Sequence, residues 1–400
     1  MTDQGAPKEL VINPTMKVGV GFELRTQNGG NKRSIFTMKD DPELCHLVIK
    51  LSSNDWSSEL IQDMPPHVLE RLVGLGVIVP KNEIPDEVYF RCSLDQPPLE
   101  FVPHKFLQLK YAGKDFSGFV VNRGIYVQIG PESSVNLVDR IPFRDKFQQT
   151  DPIIWVEDPG TKLWAPYWLK VETIEMIQRL VDGRISPSDL PPQVAERLAY
   201  VNVLIPRGYE EARVIEWHGI CGDLSARLKA EQYVVIRNMI HPLQLAALRC
   251  YFRMLDQKGY LRKDNTTNRY VYNNDEVARF IHHQIAKLLS RIVPEPVKPS
   301  YAFLTTYKSG AALRKHRDRE QCVWNLSLLI DTNPEMELSD SWPIYLEVEG
   351  QVREIRLDMG DGVVYRGTDT THWRDAIPDG NMATLILCHF VPADFLGSLD

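Results

Sequence analysis

Apolar residues follow first helical and then strand spacing in two segments of the N-terminal half. Residues 63–80 read DMPPHVLERLVGLGVIVP, and residues 189–206 read DLPPQVAERLAYVNVLIP. In the first segment, apolar residues at positions i, i+1, i+4 and i+5 from Val68 share one face of a helix. The β-branched run that follows ends at a proline in both segments, which is typical of a short strand. The pattern therefore predicts a helix and then a strand in each segment.

The two segments align without a gap at an offset of 126 residues and are identical at nine of eighteen positions. We interpret this as an internal duplication. An aspartate precedes the prolines in both copies, and we expect it to cap the helix. A further amphipathic helix, WLKVETIEMIQRLVDGRI, precedes the second copy and contains its stop signal at Gly183. Alternating segments lie upstream of both copies, so each half is predicted to be α+β.

The order helix, turn, helix, strand predicts a small winged-helix-like unit in each copy. Such units loosely resemble the winged-helix modules that bind peptide leader segments in peptide-modifying enzymes. A duplicated scaffold packed on a catalytic domain explains the same pattern, so both roles stay open at this point. A composition shift at residues 207–216 predicts a linker after the second copy. The predicted domains are two repeats at 1–90 and 91–212 and a third domain at 213–400.

The pattern changes twice in this third domain. Residues 217–298 contain a strand-like run, AEQYVVIRNMI, and two amphipathic helices. From residue 299 to residue 400, short strands are separated by Gly, Pro, Asp and Asn. This rhythm is typical of a small all-β barrel or jelly roll. The predicted fold class is therefore α+β, with a β-rich C-terminal domain behind the duplicated region.

Composition narrows the class of protein. An apolar fraction of 43% and a charged fraction of 25% are ordinary for a soluble globular chain. There is no run of 18 apolar residues and no secretory signal, so we expect a cytoplasmic protein without a membrane span. The six cysteines lack CxxC spacing and are predicted to be reduced thiols. A net charge of −7 without a Lys/Arg block argues against nucleic acid as a partner. The sequence does not indicate the oligomeric state.

Candidate chemistry lies in the β-rich part, at His316, Asp318 and His372. On a strand, residues i and i+2 point to the same face, so His316 and Asp318 can bind one ion together. A histidine from a distant strand would complete a triad of two imidazoles and one carboxylate. That ligand set leaves positions open on a non-haem Fe(II) ion. We therefore predict a metal site at these three residues.

Flanking motifs connect this site to a known family. A Tyr-Lys-Ser-Gly motif at 307–310 precedes the HxD, Gly-Asp-Gly at 360–362 leads into the strand before the distal histidine, and an apolar strand at 382–390 follows. The order resembles the Fe(II)/2-oxoglutarate-dependent oxygenases, especially their prolyl-hydroxylase-like branch, over about residues 217–400. The resemblance implies a double-stranded β-helix (jelly roll) with iron at its mouth. It also implies His316, Asp318 and His372 as metal ligands, Tyr307 near the cosubstrate, and a requirement for Fe(II), 2-oxoglutarate and O₂.

One position departs from the family pattern. Members usually carry Arg or Lys about ten residues after the distal histidine, where it pairs with the far carboxylate of 2-oxoglutarate, whereas this chain has Met382. A buried carboxylate needs a cationic partner because its desolvation is otherwise unfavourable. Our first candidate for that partner is Arg374, followed by Arg366 and Arg319.

These observations lead to one functional prediction and two alternatives. The prediction is a hydroxylase that acts on an unactivated C–H bond of a peptide or protein substrate, which the N-terminal repeats present. The resemblance implies that Asp318 favours hydroxylation or another hydrogen-abstraction outcome, because related halogenases replace this carboxylate by a small residue. The first alternative is the same chemistry on a free amino acid or small natural product, with the repeats as scaffold. The second is a non-catalytic metal-binding interaction protein with a degenerate barrel, for which Met382 is the only supporting feature.

Overall fold

A computed structural model of the chain divides into two compact units, residues 1–87 with 258–260 and residues 88–257 with 261–400. None of the helices it describes combines the length and the apolar run needed to cross a bilayer. The residues that the structure describes are 19–25, 31–37, 41–52, 64–75, 77–78, 88–103, 106, 114–129, 147, 152–264 and 267–399.

The first unit contains an antiparallel hairpin of β1 (Gly19–Arg25) and β2 (Asn31–Thr37), followed by helices α1 (Pro42–Ser52) and α2 (Pro66–Leu75). The helices meet in a small core around Leu44 and Leu72, which are 4% and 0% exposed. Asp41 accepts a hydrogen bond from the Leu44 amide at 3.2 Å and pairs with Arg71 at 2.5 Å. The predicted helix of the first copy is therefore present. Residues 77 and 78 are not part of a strand, and the rest of that predicted strand lies outside the described residues.

The second unit begins with four short strands, two helices and a fifth strand. Strands β4, β5 and β6 form an antiparallel sheet, and β7 pairs with β3. The helix, helix, strand order expected for the second copy is therefore present, but this topology does not confirm a winged helix. The elements are β3 (Phe119–Val121), β4 (Ile125–Gln128), β5 (Ile153–Glu157), β6 (Trp164–Trp168), α3 (Val171–Val181), α4 (Pro192–Tyr200) and β7 (Leu204–Pro206).

The two copies make matching backbone contacts at equivalent positions. The Val77 amide donates to the Leu72 carbonyl at 2.9 Å, and the Val203 amide donates to the Leu198 carbonyl at 2.9 Å. The predicted aspartate cap differs from what the structure shows in the second copy. Asp189 bonds the backbone and hydroxyl of Ser186 at 2.7 and 2.8 Å, so it closes the preceding 3₁₀ turn instead of capping α4.

The linker predicted at residues 207–216 is wrong in its local structure. Helix α5 (Tyr209–Glu231) runs through these residues and across the expected boundary at 212/213. Its buried residues recur every three or four positions, at Trp217, Cys221, Leu224 and Leu228. Its first turns are rich in charged residues, which explains why the sequence there was interpreted as a linker.

The remaining residues build two antiparallel sheets and two helices. A seven-stranded sheet has the order β8-β16-β13-β18-β11-β10-β9, and a four-stranded sheet has the order β12-β17-β14-β15. Tyr307, Leu329, Leu346 and Leu385 form part of the core that the two sheets share. This arrangement agrees with the predicted jelly roll. Its elements are β8 (Tyr233–Ile236), α6 (Pro242–Gln257), β9 (Arg262–Asp264), β10 (Arg269–Asn273), α7 (Glu276–Leu289), β11 (Val297–Tyr307), β12 (Leu313–His316), β13 (Trp324–Asn333), β14 (Ile344–Val348), β15 (Gln351–Ile355), β16 (Gly362–Arg366), β17 (Thr371–Arg374) and β18 (Met382–Pro392).

Helices α6 and α7 join this jelly roll to the second repeat. Gln284 of α7 both donates to the Trp164 carbonyl at 3.0 Å and accepts from the Trp164 amide at 3.2 Å. Gln244 of α6 donates to the Pro166 carbonyl at 2.5 Å. The Phe280 ring lies 5.1 Å from that of Phe147 in an edge-to-face contact. The second repeat therefore packs directly on the helices of the C-terminal part.

Candidate functional site

The three predicted metal ligands lie together in the structure. His316 ends β12 and is paired in register with His372 of β17. Asp318 follows two residues later, with Oδ1 3.3 Å from His316 Nε2 and Oδ2 3.5 Å from His372 Nε2. The ligand atoms of all three side chains lie within 4.8 Å of one another. Two neighbouring strands and the loop after one of them thus converge on a single point.

Hydrogen bonds fix the tautomer of both imidazoles. His316 Nδ1 donates to the Arg314 carbonyl at 2.7 Å, and His372 Nδ1 donates to the Thr370 carbonyl at 3.0 Å. A carbonyl only accepts, so each ring carries its hydrogen on Nδ1 when neutral and keeps the lone pair on Nε2. Both lone pairs face the Asp318 carboxylate. Two neutral imidazoles and one carboxylate are a donor set that fits Fe(II).

The charges of the site depend on burial and on the Asp318 contacts. Burial lowers the pKa of His372. Burial alone would raise the pKa of Asp318, but the hydrogen bond with His316 and the nearby imidazoles hold it below its ordinary value. The same hydrogen bond raises the pKa of His316. A metal ion and a proton therefore compete for the Nε2 lone pair of His316.

Three residues, whose role sequence reasoning missed, position Asp318, two through its carboxylate and one through its backbone. Asn325 Nδ2 donates to Asp318 Oδ2, and His389 Nδ1 donates to Asn325 Oδ1 at 2.8 Å. Burial lowers the pKa of His389 to about 4, so its ring is neutral and orients the amide. The Asp318 amide donates to the Gly367 carbonyl at 3.0 Å. The sequence carries no signal for this role, because Asn325 is one of several polar residues in β13.

A second group of possible ligands shares Asp318, because Cys322 Sγ and a His389 ring nitrogen also lie within 4.8 Å of its carboxylate. Both side chains already have partners. The Cys322 thiol lies 2.8 Å from the Tyr301 hydroxyl, and burial raises its pKa to about 11. A protonated thiol is a poor metal ligand, since the thiolate is the binding form. Cys322 is therefore a packing thiol.

Arg374 lies on the same strand as His372, two residues further on, and so on the same face. It is 4% exposed, and its Nη1 donates to the Trp342 carbonyl at 3.2 Å. Its Nη2 is buried without a hydrogen-bond partner, and so is the hydroxyl of Thr332. Arg374 and Thr332 line the same small cavity, together with Trp342 and Ala383. Burial lowers the pKa of Arg374. A buried cation and a hydroxyl that both lack partners form a site for an anion.

Tyr307 lies next to this cavity. It is 1% exposed, and its ring centre is 4.9 Å from that of Trp342. Its hydroxyl accepts a hydrogen bond from Arg269 Nη1 at 2.9 Å, a partner that sequence reasoning did not name. Met382 begins β18 in register with Asn333, beside the Ala383 that lines the cavity.

The other two candidate arginines bind elsewhere. Arg366 Nε lies 2.8 Å from the Asp369 carboxylate, and its guanidinium lies over the Trp324 ring at 5.1 Å. Arg319 Nε donates to the Tyr301 hydroxyl at 3.2 Å. Of the three candidates, only Arg374 contributes to the lining of the cavity beside the triad.

No family model and no curated protein matches the chain. Solved structures do match its C-terminal half, and the matches include 2-oxoglutarate- and iron-dependent oxygenases. The prolyl-4-hydroxylase of Pseudomonas putida is 14% identical, covers 43% of this chain and 98% of its own, and has a TM-score of 0.36. A Trichoplax adhaerens prolyl hydroxylase, in complex with a peptide fragment of hypoxia inducible factor, is 12% identical and has a TM-score of 0.40. The match covers 45% of this chain and 93% of the hydroxylase chain.

A third match is an epimerase of nogalamycin biosynthesis in complex with Fe³⁺ and α-ketoglutarate. It is 11% identical, covers 44% of this chain and 84% of its own, and has a TM-score of 0.38. These similarities lie in the half of the chain that contains the sequence motifs. The chemistry of the site rests on the residues described above.

Proposed function

We propose that this protein is an Fe(II)- and 2-oxoglutarate-dependent oxygenase that hydroxylates an unactivated C–H bond with O₂. One observation carries the proposal. His372, one member of a triad of two imidazoles and one carboxylate, shares its strand face with Arg374, a buried arginine whose Nη2 has no partner. The first feature fits Fe(II), and the second fits the far carboxylate of 2-oxoglutarate.

His316, Asp318 and His372 would hold the iron, and Arg374 with Thr332 would bind the cosubstrate. Iron with 2-oxoglutarate supplies the O₂ activation that hydroxylation requires. The chain fixes the two Nε2 lone pairs through backbone carbonyls, so little reorganisation of the triad is needed on metal binding. The cavity that Arg374 and Thr332 line measures about 10 Å³, so it must widen to admit a carboxylate. Met382 was the only support for a degenerate barrel, and Arg374 of β17, in the other sheet, would supply the cation that Met382 lacks.

The test is an anaerobic Fe(II) titration with and without 2-oxoglutarate, read by the weak visible absorption of the chelate at roughly 500 nm. We expect the band in the wild type and in Arg366→Met, whose guanidinium lies on Asp369. We expect at least a tenfold weaker 2-oxoglutarate affinity in Arg374→Met, because the carboxylate then lacks its cation. Iron binding without a band in the wild type would refute the cosubstrate assignment.

For the substrate, we propose a peptide or protein, with a free amino acid or small natural product as the alternative. One similar structure holds a peptide fragment, and another belongs to natural-product biosynthesis. The contacts of Gln244 and Gln284 favour a scaffold role for the second repeat, which leaves residues 1–90 as the part that would present a substrate. Succinate release that peptides stimulate and free amino acids do not would support the peptide class, and the reverse result would refute it.

A further inference from the structure

A cavity of about 330 Å³ lies inside the second unit, away from the metal triad. Its wall comes from β6 and the turn before it, from helix α5, and from helices α6 and α7. His316, Asp318, His372 and Arg374 do not line it. The volume lies at the lower end of the range for small-molecule pockets, about 300–1,000 Å³.

Several polar side chains that line this cavity are already hydrogen-bonded to the protein, so few of their polar groups are free to bind a ligand. Gln244 and Gln284 both line the cavity, and their side-chain amides form hydrogen bonds with the backbone of β6. On the opposite side, the turn before β6 packs tightly on α5. A Cβ added to Gly160 of that turn would lie 2.9 Å from Trp217 Cβ. The shape therefore follows from contacts fixed on both sides.

The charged groups of the lining are already paired. Arg213 Nε lies 3.2 Å from Asp158 Oδ2, and Arg237 Nη1 lies 2.6 Å from Asp361 Oδ2. The rest of the lining is mostly apolar and includes Phe280, Leu248 and Val277. A charged ligand would lose its hydration here without gaining a free counter-charge.

One donor in the wall has no partner. The indole N–H of Trp217 is buried without a hydrogen bond, and the residue is only 6% exposed. Among the described residues, it is the only buried side-chain polar atom lacking a partner that belongs to a residue of this lining. Buried donors are almost always satisfied, so an open donor in an apolar cavity indicates a missing acceptor.

We propose that this cavity binds a small, uncharged, mostly apolar molecule that accepts one hydrogen bond from Trp217. The apolar wall supplies affinity through burial, and the indole N–H fixes the position of the acceptor oxygen. The site is separate from the iron centre and does not depend on the proposed oxygenase activity.

The probe for the test is prodan, a neutral naphthalene dye with one carbonyl acceptor whose emission shifts to the blue in apolar surroundings. With the full chain we expect saturable binding. Trp217→Phe keeps an aromatic ring and removes the donor, so affinity should fall by at least about fivefold, the value of one net hydrogen bond. Ala165→Trp, which fills the cavity from β6, should abolish saturable binding. Trp324→Phe is the matched control, because Trp324 lies outside the lining, and its affinity should equal that of the wild type.

His316→Ala should also bind prodan normally, which separates this cavity from the metal site. Circular dichroism and melting temperature establish that each variant is folded. If Ala165→Trp does not fold, the comparison of Trp217→Phe with Trp324→Phe decides. Equal affinities in those two variants, or no saturable binding by the wild type, would overturn the proposal.

Discussion

Asn325 positions the Asp318 carboxylate through a direct hydrogen bond and is itself oriented by His389. In Asn325→Ala the carboxylate loses this donor and can rotate away from the imidazoles. Loss of such a supporting contact typically weakens metal affinity by about 10–100-fold, and we expect an Fe(II) affinity loss in that range. Asn273→Ala, on the exposed end of β10, is the control and should bind iron normally. Anaerobic titration of both variants with Fe(II) measures these affinities. An unchanged Fe(II) affinity in Asn325→Ala would contradict the positioning role of Asn325.

Gly367 lies where three groups of the site meet. A Cβ at this position would be 2.4 Å from Asn325 Nδ2, 2.5 Å from the Cys322 carbonyl and 2.6 Å from Asp318 Oδ2. None of these groups can retreat without disturbing the carboxylate, so Gly367→Ala should lower both Fe(II) affinity and melting temperature. Gly222→Ala, in the open on helix α5, is the matched control and should be neutral or slightly stabilising. A Gly367→Ala protein that binds iron like the wild type would disprove the steric argument.

The proposed metal site illustrates which functional residues can be predicted from the sequence. His316 and Asp318 were predictable because strand spacing puts them on one face, and Arg374 because it stands two residues after His372. Asn325 and Gly367 were not predictable. Their role arises from strand pairing and a close backbone approach, and neither leaves a spacing signal in the chain.

At the scale of elements, Asp275 caps helix α7 and gives the fold a pH dependence. Its carboxylate accepts hydrogen bonds from the Ala278 amide at 2.9 Å and the Tyr251 hydroxyl at 2.8 Å. Burial raises the pKa of Asp275 to about 6, whereas an exposed aspartate has a pKa of about 3.9. Between these values the folded chain holds a proton that the unfolded chain has released. The stability contributed by this group is therefore fully present below about pH 4 and is lost as the pH rises through 6.

Asp275→Asn keeps a capping oxygen and removes the titration. We expect the free energy of unfolding of the wild type to fall by about 2 kcal/mol more than that of the variant between pH 4 and pH 6. Urea unfolding at pH 4, 5 and 6 measures this difference. Asp340→Asn, at an exposed position, should follow the wild type. Parallel pH curves for Asp275→Asn and the wild type would show that this carboxyl does not carry the effect.

Helices and strands were predicted correctly where the pattern of apolar residues along the chain agrees with the packing in the fold. The helices of both copies and the alternation of short strands from residue 299 onward follow from apolar spacing. The missed element was α5, whose first turns are rich in charge. Two of its ion pairs lie within the helix, Arg213 with Glu216 at 2.8 Å and Arg227 with Glu231 at 3.5 Å. The stripe that begins at Trp217 has helical spacing and could have corrected the prediction.

At the scale of the whole molecule, the sequence predicted a separate catalytic domain at 213–400, whereas contacts argue for dependence on the second repeat. Gln244 and Gln284 were unremarkable polar positions on amphipathic helices, so nothing in the pattern showed that they bind the backbone of β6. Long-range pairing of this kind depends on the assembled fold. The expected boundary also falls inside helix α5.

A fragment of residues 213–400 tests this dependence. Without the second repeat, the ring of Phe280 loses its neighbours Phe147 and Trp155, whose centres lie at 5.1 and 6.0 Å. An exposed apolar face of this kind favours aggregation, because it is no longer removed from water. We expect the fragment to be insoluble, or to melt well below the full chain and to lack the Fe(II)–2-oxoglutarate absorption band. Size-exclusion chromatography, thermal melting and anaerobic titration of both proteins measure this. A soluble, monodisperse fragment that shows the band would instead establish 213–400 as an independent catalytic domain, with the second repeat as an accessory.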